Sequence, residues 1–241
     1  MLIIKRVCRI MALLVVYMCC GYMYLTEKGF VRGEDKFFVL SKSAIAEENQ
    51  FSRPVDGKVL ISEANKRVKG NADAPLTMFI FSSMSCAHCQ DFHKFTLPKI
   101  ERDFVTDGKL KLSFIHFPLE ERSMRAAKLS YCLPKEYFYD FINELYGAKD
   151  WLFAEKEDKL YEYAKKYGMT DEDIVKCNEN KKLTSDILMT RDDVVKTFGI
   201  TGTPSFIVEG SDGSEVISGS KGYDSLKKYL EKRLKGENNA R

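Results

Sequence analysis

Apolar and polar positions alternate in different rhythms along the chain, and each rhythm predicts a different element. Residues 10–25, "IMALLVVYMCCGYMYL", are apolar almost without interruption. Such a run is long for a cleaved signal core and slightly short for a membrane-spanning helix. Residues 26–69 are polar and mixed, with no sustained period. They are expected to form a linker or extension, with a short helix near Ile61–Lys69. "GNADAP" (70–75) is a turn cluster, and "LTMFIF" (76–81) has the aromatic and branched content of a buried strand. From Cys86 onward Cys89, Phe92, Leu97, Ile100 and Phe104 recur at roughly helical spacing, with Pro98 expected to kink the helix. "DGKLKLSFIHFPL" (107–119) leaves an Asp-Gly turn as an alternating strand and stops at Pro118.

Helical patterns then follow one another from residue 121 to 198. "KEYFYDFINELYG" stops at Gly147 and "EDKLYEYAKKYG" at Gly168. Thr170, with Asp173 three residues on, has the form of a capping box. After Gly199 the period returns to that of strands, "TPSFIVEG" and "EVIS" around an "SDGS" turn. A last amphipathic helix carries Tyr223, Leu226, Leu230 and Leu234 on one face. Strand, helix, strand, a block of helices, then hairpin and helix describe an α/β fold: a thioredoxin-like mixed sheet with an inserted helical domain. The predicted boundaries are 1–25 for the N-terminal apolar segment, 26–69 for the extension and 70–120 for the first part of the sheet domain. The helical insert takes 121–198, the second part of the sheet domain 199–236, and a tail 237–241.

Charge adds a direction to the first segment. Lys5, Arg6 and Arg9 precede the apolar run, which places the remainder outside the cytoplasm. The run is then either a cleaved signal or an uncleaved anchor, the alternative to export being a buried N-terminal helix of a cytosolic protein. The whole chain of 241 residues has a net charge of +3. Lys5, Arg6, Arg9, Lys28 and Arg32 face only Glu27 in the first 32 residues, so the rest is close to neutral and has no electrostatic case for nucleic acid.

Export changes the reading of the seven cysteines. Cys8, Cys19 and Cys20 belong to the N-terminal segment, leaving Cys86, Cys89, Cys132 and Cys177 in an oxidising compartment. Cys86 and Cys89 form "CAHC" where a strand passes into a helix. There the free N–H groups of the first turn favour a thiolate on Cys86, and His88 adds a donor or a positive charge. Cys89, one turn further in, should be buried. Two alternatives stand beside this redox pair: a metal site using Cys86, Cys89 and His93, with His116 as a distant fourth ligand, or two core cysteines. His116 is expected to be a surface or half-buried residue. Cys132 and Cys177 lie on separate predicted helices with apolar neighbours. A structural disulfide is expected there, the alternative being two buried free thiols. Thr203-Pro204 opens a strand. A cis bond there would bring the Thr203 backbone beside the redox pair, whereas a trans bond would make an ordinary turn.

Together "GNADAP", "CAHC", "HFPLEERSMRAA", "YGAKD" and "TFGITGTPSFIVEG" resemble the DsbA-like thiol–disulfide oxidoreductases of the bacterial periplasm, over about residues 70–234. The resemblance implies that Cys86 is the exposed nucleophile, Cys89 its buried partner, Ala87 and His88 the residues that tune them, and Pro204 a cis-proline. It also implies exported protein substrates with free thiols and a membrane partner that passes electrons to quinone. The protein is expected in the periplasm, free or tethered to the inner membrane by residues 10–25. No cofactor is required, because the electrons reside in the sulfur pair. Two departures bear on direction. Ile80 stands six residues before Cys86, where the family often has an acid, and Thr203 also occurs in isomerase-like relatives. A disulfide isomerase or reductase is the alternative activity, and a copper-handling protein the alternative class. The extension shows no heptads or strand alternation suited to a dimer interface, so a monomer is expected.

Overall fold

The seven residues Leu76–Ser82 form β5, the strand at the centre of the sheet. Leu76, Met78, Ile80 and Phe81 are all buried, as in a strand covered on both faces. The computed structural model describes residues 30–32, 38–40, 51–57, 59, 67–154 and 158–239. The N-terminal apolar segment and residues 61–66 of the helix expected near Ile61–Lys69 lie outside them, and at the end of that expected helix Val68–Lys69 form a strand instead. Two units separate, Met1–Phe51 and Ser52–Arg241. In the first, strands β1 (Phe30–Arg32) and β2 (Phe38–Leu40) pair antiparallel, with Val31 opposite Val39.

The second unit holds a six-stranded mixed sheet. Its strands are β3 (Arg53–Val55), β4 (Val68–Lys69), β5, β6 (Leu110–His116), β7 (Ser205–Gly210) and β8 (Gly213–Ser218). Across the sheet they run β3-β8-β7-β5-β6-β4. The central pair β5–β6 is parallel, and every other pair is antiparallel. Helix α1 (Ala87–Asp91) passes without a break through a π-type turn (Phe92–Thr96), α2 (Leu97–Ile100) and a second π-type turn (Glu101–Val105). Pro98 therefore does not break the helix. The Leu97 N–H reaches back to the Phe92 carbonyl, a register shift that absorbs the donor missing at the proline.

The insert contains α3 (Glu121–Cys132), α4 (Phe138–Gly147), α5 (Asp150–Phe153), α6 (Asp158–Lys166), α7 (Asp171–Glu179) and α8 (Lys181–Phe198). Helix α9 (Tyr223–Asn239) closes the chain and packs on α2. On one sheet face Val194 and Phe198 of α8, with Ile200, cover Phe81, Ile115, Ile207 and Val216. On the other, Phe92 meets Phe206 at 4.9 Å between ring centres.

Two short edge strands, β3 and β4, fall within the stretch expected to be a linker. Both are anchored by an arginine. Arg53 donates to the Phe198 carbonyl at 2.7 Å, satisfying the end of α8 where Gly199 turns left-handed at φ 64°. Arg67, just before β4, is buried with its guanidinium over the rings of Tyr131 and Phe138, 5.1 Å from each centre. Thr170 caps α7 reciprocally with Asp173, as its spacing suggests. Thr170→Ala should lower unfolding free energy by about 1 kcal/mol, read as a drop in the urea midpoint at unchanged slope.

Candidate active site

Chain geometry at the end of β5 places the two cysteines differently. After Ser82 the chain turns, the Cys86 N–H donating to the Ser83 carbonyl at 3.1 Å, and buried Gln90 donates to the Met84 carbonyl at 3.4 Å. Cys86 then stands as the extended residue that opens α1. Its side chain is half-buried, whereas Cys89 is 0% exposed, and both are thiols here. Ala87 and His88 between them are exposed.

The strand β7 lies next to β5, with Ser205 opposite Phe81. That pairing delivers the residues before Ser205 to the start of α1. The Thr203–Pro204 bond is cis, and the Cys86 thiol donates to the Thr203 carbonyl at 3.5 Å across 117 residues of sequence. Cys86, Cys89, Thr203 and Pro204 are thus brought together. Cys132 and Cys177 are not part of this site. They are bonded to each other, joining the end of α3 to α7, with Cα atoms 6.1 Å apart.

The two thiols are driven in opposite directions. The Cys86 thiol is lowered to about 5. The hydrogen bond from Cys89 is the main cause, with help from Thr203 and from the backbone N–H groups of Cys89 and His88, while partial burial opposes them. Burial pushes Cys89 far up, and its hydrogen bond to Cys86 adds to the rise. One sulfur is therefore a thiolate at neutral pH and its neighbour a neutral thiol, the arrangement that separates attacking and buried roles in dithiol exchange. The backbone N–H of His88 is among the groups that lower Cys86, and its imidazole is exposed. His88→Ser should leave the Cys86 midpoint near 5 when thiolate absorbance is followed against pH.

The two other histidines also differ from the metal alternative. His93 stacks on the Tyr146 ring at 3.7 Å, and burial holds it down to about 3. His116 is buried, contrary to the surface or half-buried position expected, and its Nε2 lies 2.6 Å from the Ser130 hydroxyl. Strand β6 is covered on both faces, so its alternation carried no sign of which side was wet. Among the described residues no three His, Cys, Asp or Glu side chains converge as metal ligands would.

Sequence reasoning missed Ser82 and Tyr146, whose hydroxyls meet at 2.6 Å beneath the cysteines. They are 64 residues apart. Tyr146 reads as one more apolar position of a helix, and no spacing rule links it to Ser82.

A family model described as thioredoxin matches residues 62–232. The chain belongs to this thioredoxin family. This thioredoxin-family chain is 27% identical over 179 residues to disulfide bond formation protein D of Bacillus subtilis, covering 70% of this chain and 78% of the relative. The crystal structure of oxidised BdbD from Bacillus subtilis superposes with a TM-score of 0.62 at 26% identity, over 76% of this chain and 98% of that one. The alpha-DsbA1 structure from Wolbachia pipientis gives a TM-score of 0.66 at 24% identity, over 75% and 96% of the two chains, a likeness of fold. The resemblance to DsbA-like oxidoreductases holds, and so does the thioredoxin-like sheet with its helical insert. No helix among the described residues is long and apolar enough to cross a membrane.

Proposed function

We propose that this chain is a protein thiol–disulfide oxidoreductase that works as an oxidase, handing the Cys86–Cys89 disulfide to exported proteins with free thiols. The observation that carries this reading is a half-exposed Cys86 thiol held at about 5, beside Thr203–Pro204 and above a buried partner. A substrate thiolate attacks Cys86 in the disulfide state. The bond between Cys86 and Cys89 breaks, a bond from Cys86 to the substrate forms, and Cys89 leaves and takes up a proton. A second substrate thiolate then attacks the substrate sulfur and expels Cys86 as a thiolate. Two electrons pass from the substrate dithiol to the pair. The low Cys86 pKa makes it a good leaving group and stabilises the reduced enzyme, which raises the reduction potential. The Thr203 backbone beside the sulfur suits an extended substrate segment.

The N-terminal basic residues and apolar run support export to the periplasm, with residues 10–25 as signal or tether. The Cys132–Cys177 bridge is in keeping with an oxidising compartment. Re-oxidation by a quinone-linked membrane partner rests on the family resemblance. Equilibration with glutathione buffers tests the direction of the reaction. An oxidase should show a potential of about −180 mV or higher, and a value near about −270 mV would make it a reductant.

A pH dependence follows from the depressed Cys86 pKa. A folded value near 5, below that of a free thiol at about 8.5, stabilises the reduced form fully only above the free-thiol value. This stabilisation is lost as pH falls through the folded value. The melting temperature of the reduced protein should therefore fall relative to the oxidised protein on going from pH 8 towards pH 5.

A further inference from the structure

Opening and closing the Cys86–Cys89 bond puts negative charge on the buried Cys89 sulfur, as leaving group when a substrate attacks Cys86 and as nucleophile when the disulfide closes. Such a charge in the interior is costly unless donors face it. Strand alternation points Ile80 and Ser82 to the same side of β5. The first of these is an aliphatic residue, so on that side of the strand the polar group near the pair is Ser82.

Ser82 is 0% exposed at the end of β5 and is one of the groups that lower the Cys89 thiol against burial. Its hydroxyl lies 2.6 Å from that of Tyr146, a buried residue brought in by α4 of the helical insert. The Tyr146 ring is held in turn by His93, stacked at 3.7 Å with the planes 14° apart. His93 sits four residues after Cys89, so the residue that steadies Tyr146 lies one helical turn beyond the sulfur. The titratable groups packed round the sulfur are Cys86 and Tyr146, and behind Tyr146 a His93 that burial keeps neutral. Ser82, Thr203 and the Ser83 N–H are the groups that pull the Cys89 thiol down against burial.

From this arrangement we infer that Ser82 is a catalytic donor that stabilises charge on the Cys89 sulfur, and that Tyr146 is the positioning residue that orients it. A hydroxyl donates once and accepts readily. With Cys89 protonated, the thiol donates to Ser82 and Ser82 to Tyr146. With Cys89 as a thiolate, both hydroxyl protons swing round: Tyr146 donates to Ser82, and Ser82 donates to the sulfur. Only hydrogen atoms rotate, so the donors are in place before charge appears. The proton lost or gained by Cys89 itself is exchanged with water, and neither hydroxyl ionises.

This inference rests on Cys86 and Cys89 being the reacting pair. The test therefore starts from the mixed disulfide of Cys86 with glutathione, formed at acid pH, where Cys89 stays protonated. After a pH jump Cys89 loses its proton and attacks Cys86. The Cys86–Cys89 bond forms, the bond to glutathione breaks, and glutathione leaves as a thiolate. Ser82→Ala should slow glutathione release about tenfold at neutral pH, the rate equivalent of one hydrogen bond to a charged group, and move the rise of rate to higher pH. Tyr146→Phe, which keeps the ring and its stack, should shift the profile the same way by a smaller factor, while the Cys86 midpoint stays where it is in both variants. Wild-type rates and pH profiles in both variants would overturn the inference. If Ser82→Ala does not fold, an unchanged profile in Tyr146→Phe overturns the role of Tyr146 and with it the chain. A wild-type protein whose Cys86 forms no mixed disulfide would instead refute the proposed function, a result separate from any effect of the hydroxyls.

Discussion

Cys86→Ala should reduce both dithiol-peptide oxidation and insulin reduction to the uncatalysed rate while leaving the melting curve of the reduced protein cooperative. Cys86 is half-buried at the head of α1 and makes no side-chain capping bond to that helix, so its loss removes chemistry more than packing. Cys89 cannot take its place. It is fully buried, and burial keeps it a neutral thiol. Cys132 and Cys177 are bonded to each other and stand outside the site. Cys89→Ala should behave differently: the half-buried Cys86 sulfur remains but loses the hydrogen bond that chiefly lowers its pKa, no internal disulfide can form, and Cys86 should accumulate as mixed disulfides with substrates, visible as mass adducts. Oxidase activity of Cys86→Ala close to wild type would falsify the assignment of Cys86 as the sulfur that substrates attack.

Removing the second cysteine pair should be the largest single loss of stability. The Cys132–Cys177 bridge spans 45 residues, for which the chain-entropy account gives about 4 kcal/mol. For a domain of this size that corresponds to a fall in melting temperature of about 8–16 °C. The cost arises in the unfolded chain, which gains freedom once the loop is open, and it falls on α3 and α7, which pack together within the insert. The Cys132→Ala/Cys177→Ala variant should therefore melt well below wild type under oxidising conditions while its Cys86 midpoint stays near 5. An unchanged melting temperature would mean that the bridge adds no net stability, and a displaced midpoint would mean that the insert reports to the active site.

Much of the fold was legible where the signal lies within a few residues of its effect. The Asp173 that answers Thr170, the glycine that ends α8 in a left-handed turn and the strand-to-helix start at Cys86 each act through backbone geometry next door. The runs "LTMFIF" and "TPSFIVEG" were readable as strands because their composition suits burial on both faces. The paired cysteines, at a spacing that puts one at the helix start and the other a turn inside, carried their chemistry in plain view.

Tertiary structure decided what local preference cannot encode. β3 and β4, only three and two residues long, have too little pattern to register as strands, and they form because Arg53 and Arg67 find partners on α8 and the insert. His88, read as a tuning residue, stays exposed, and its backbone N–H is one of the groups that lower Cys86. Thr203 reaches Cys86 across 117 residues because β7 pairs with β5, and Ser82 reaches Tyr146 across 64 because α4 folds back over the strand end. The sequence by itself determined most of the elements and the cysteine pair proposed to react, since those depend on dihedral preference and on side chains a turn apart. Which sulfur is wet, which donors face it and which histidines are neutral depend on the order in which strands and helices pack, because burial and hydrogen-bond partners exist only once the chain has closed on itself.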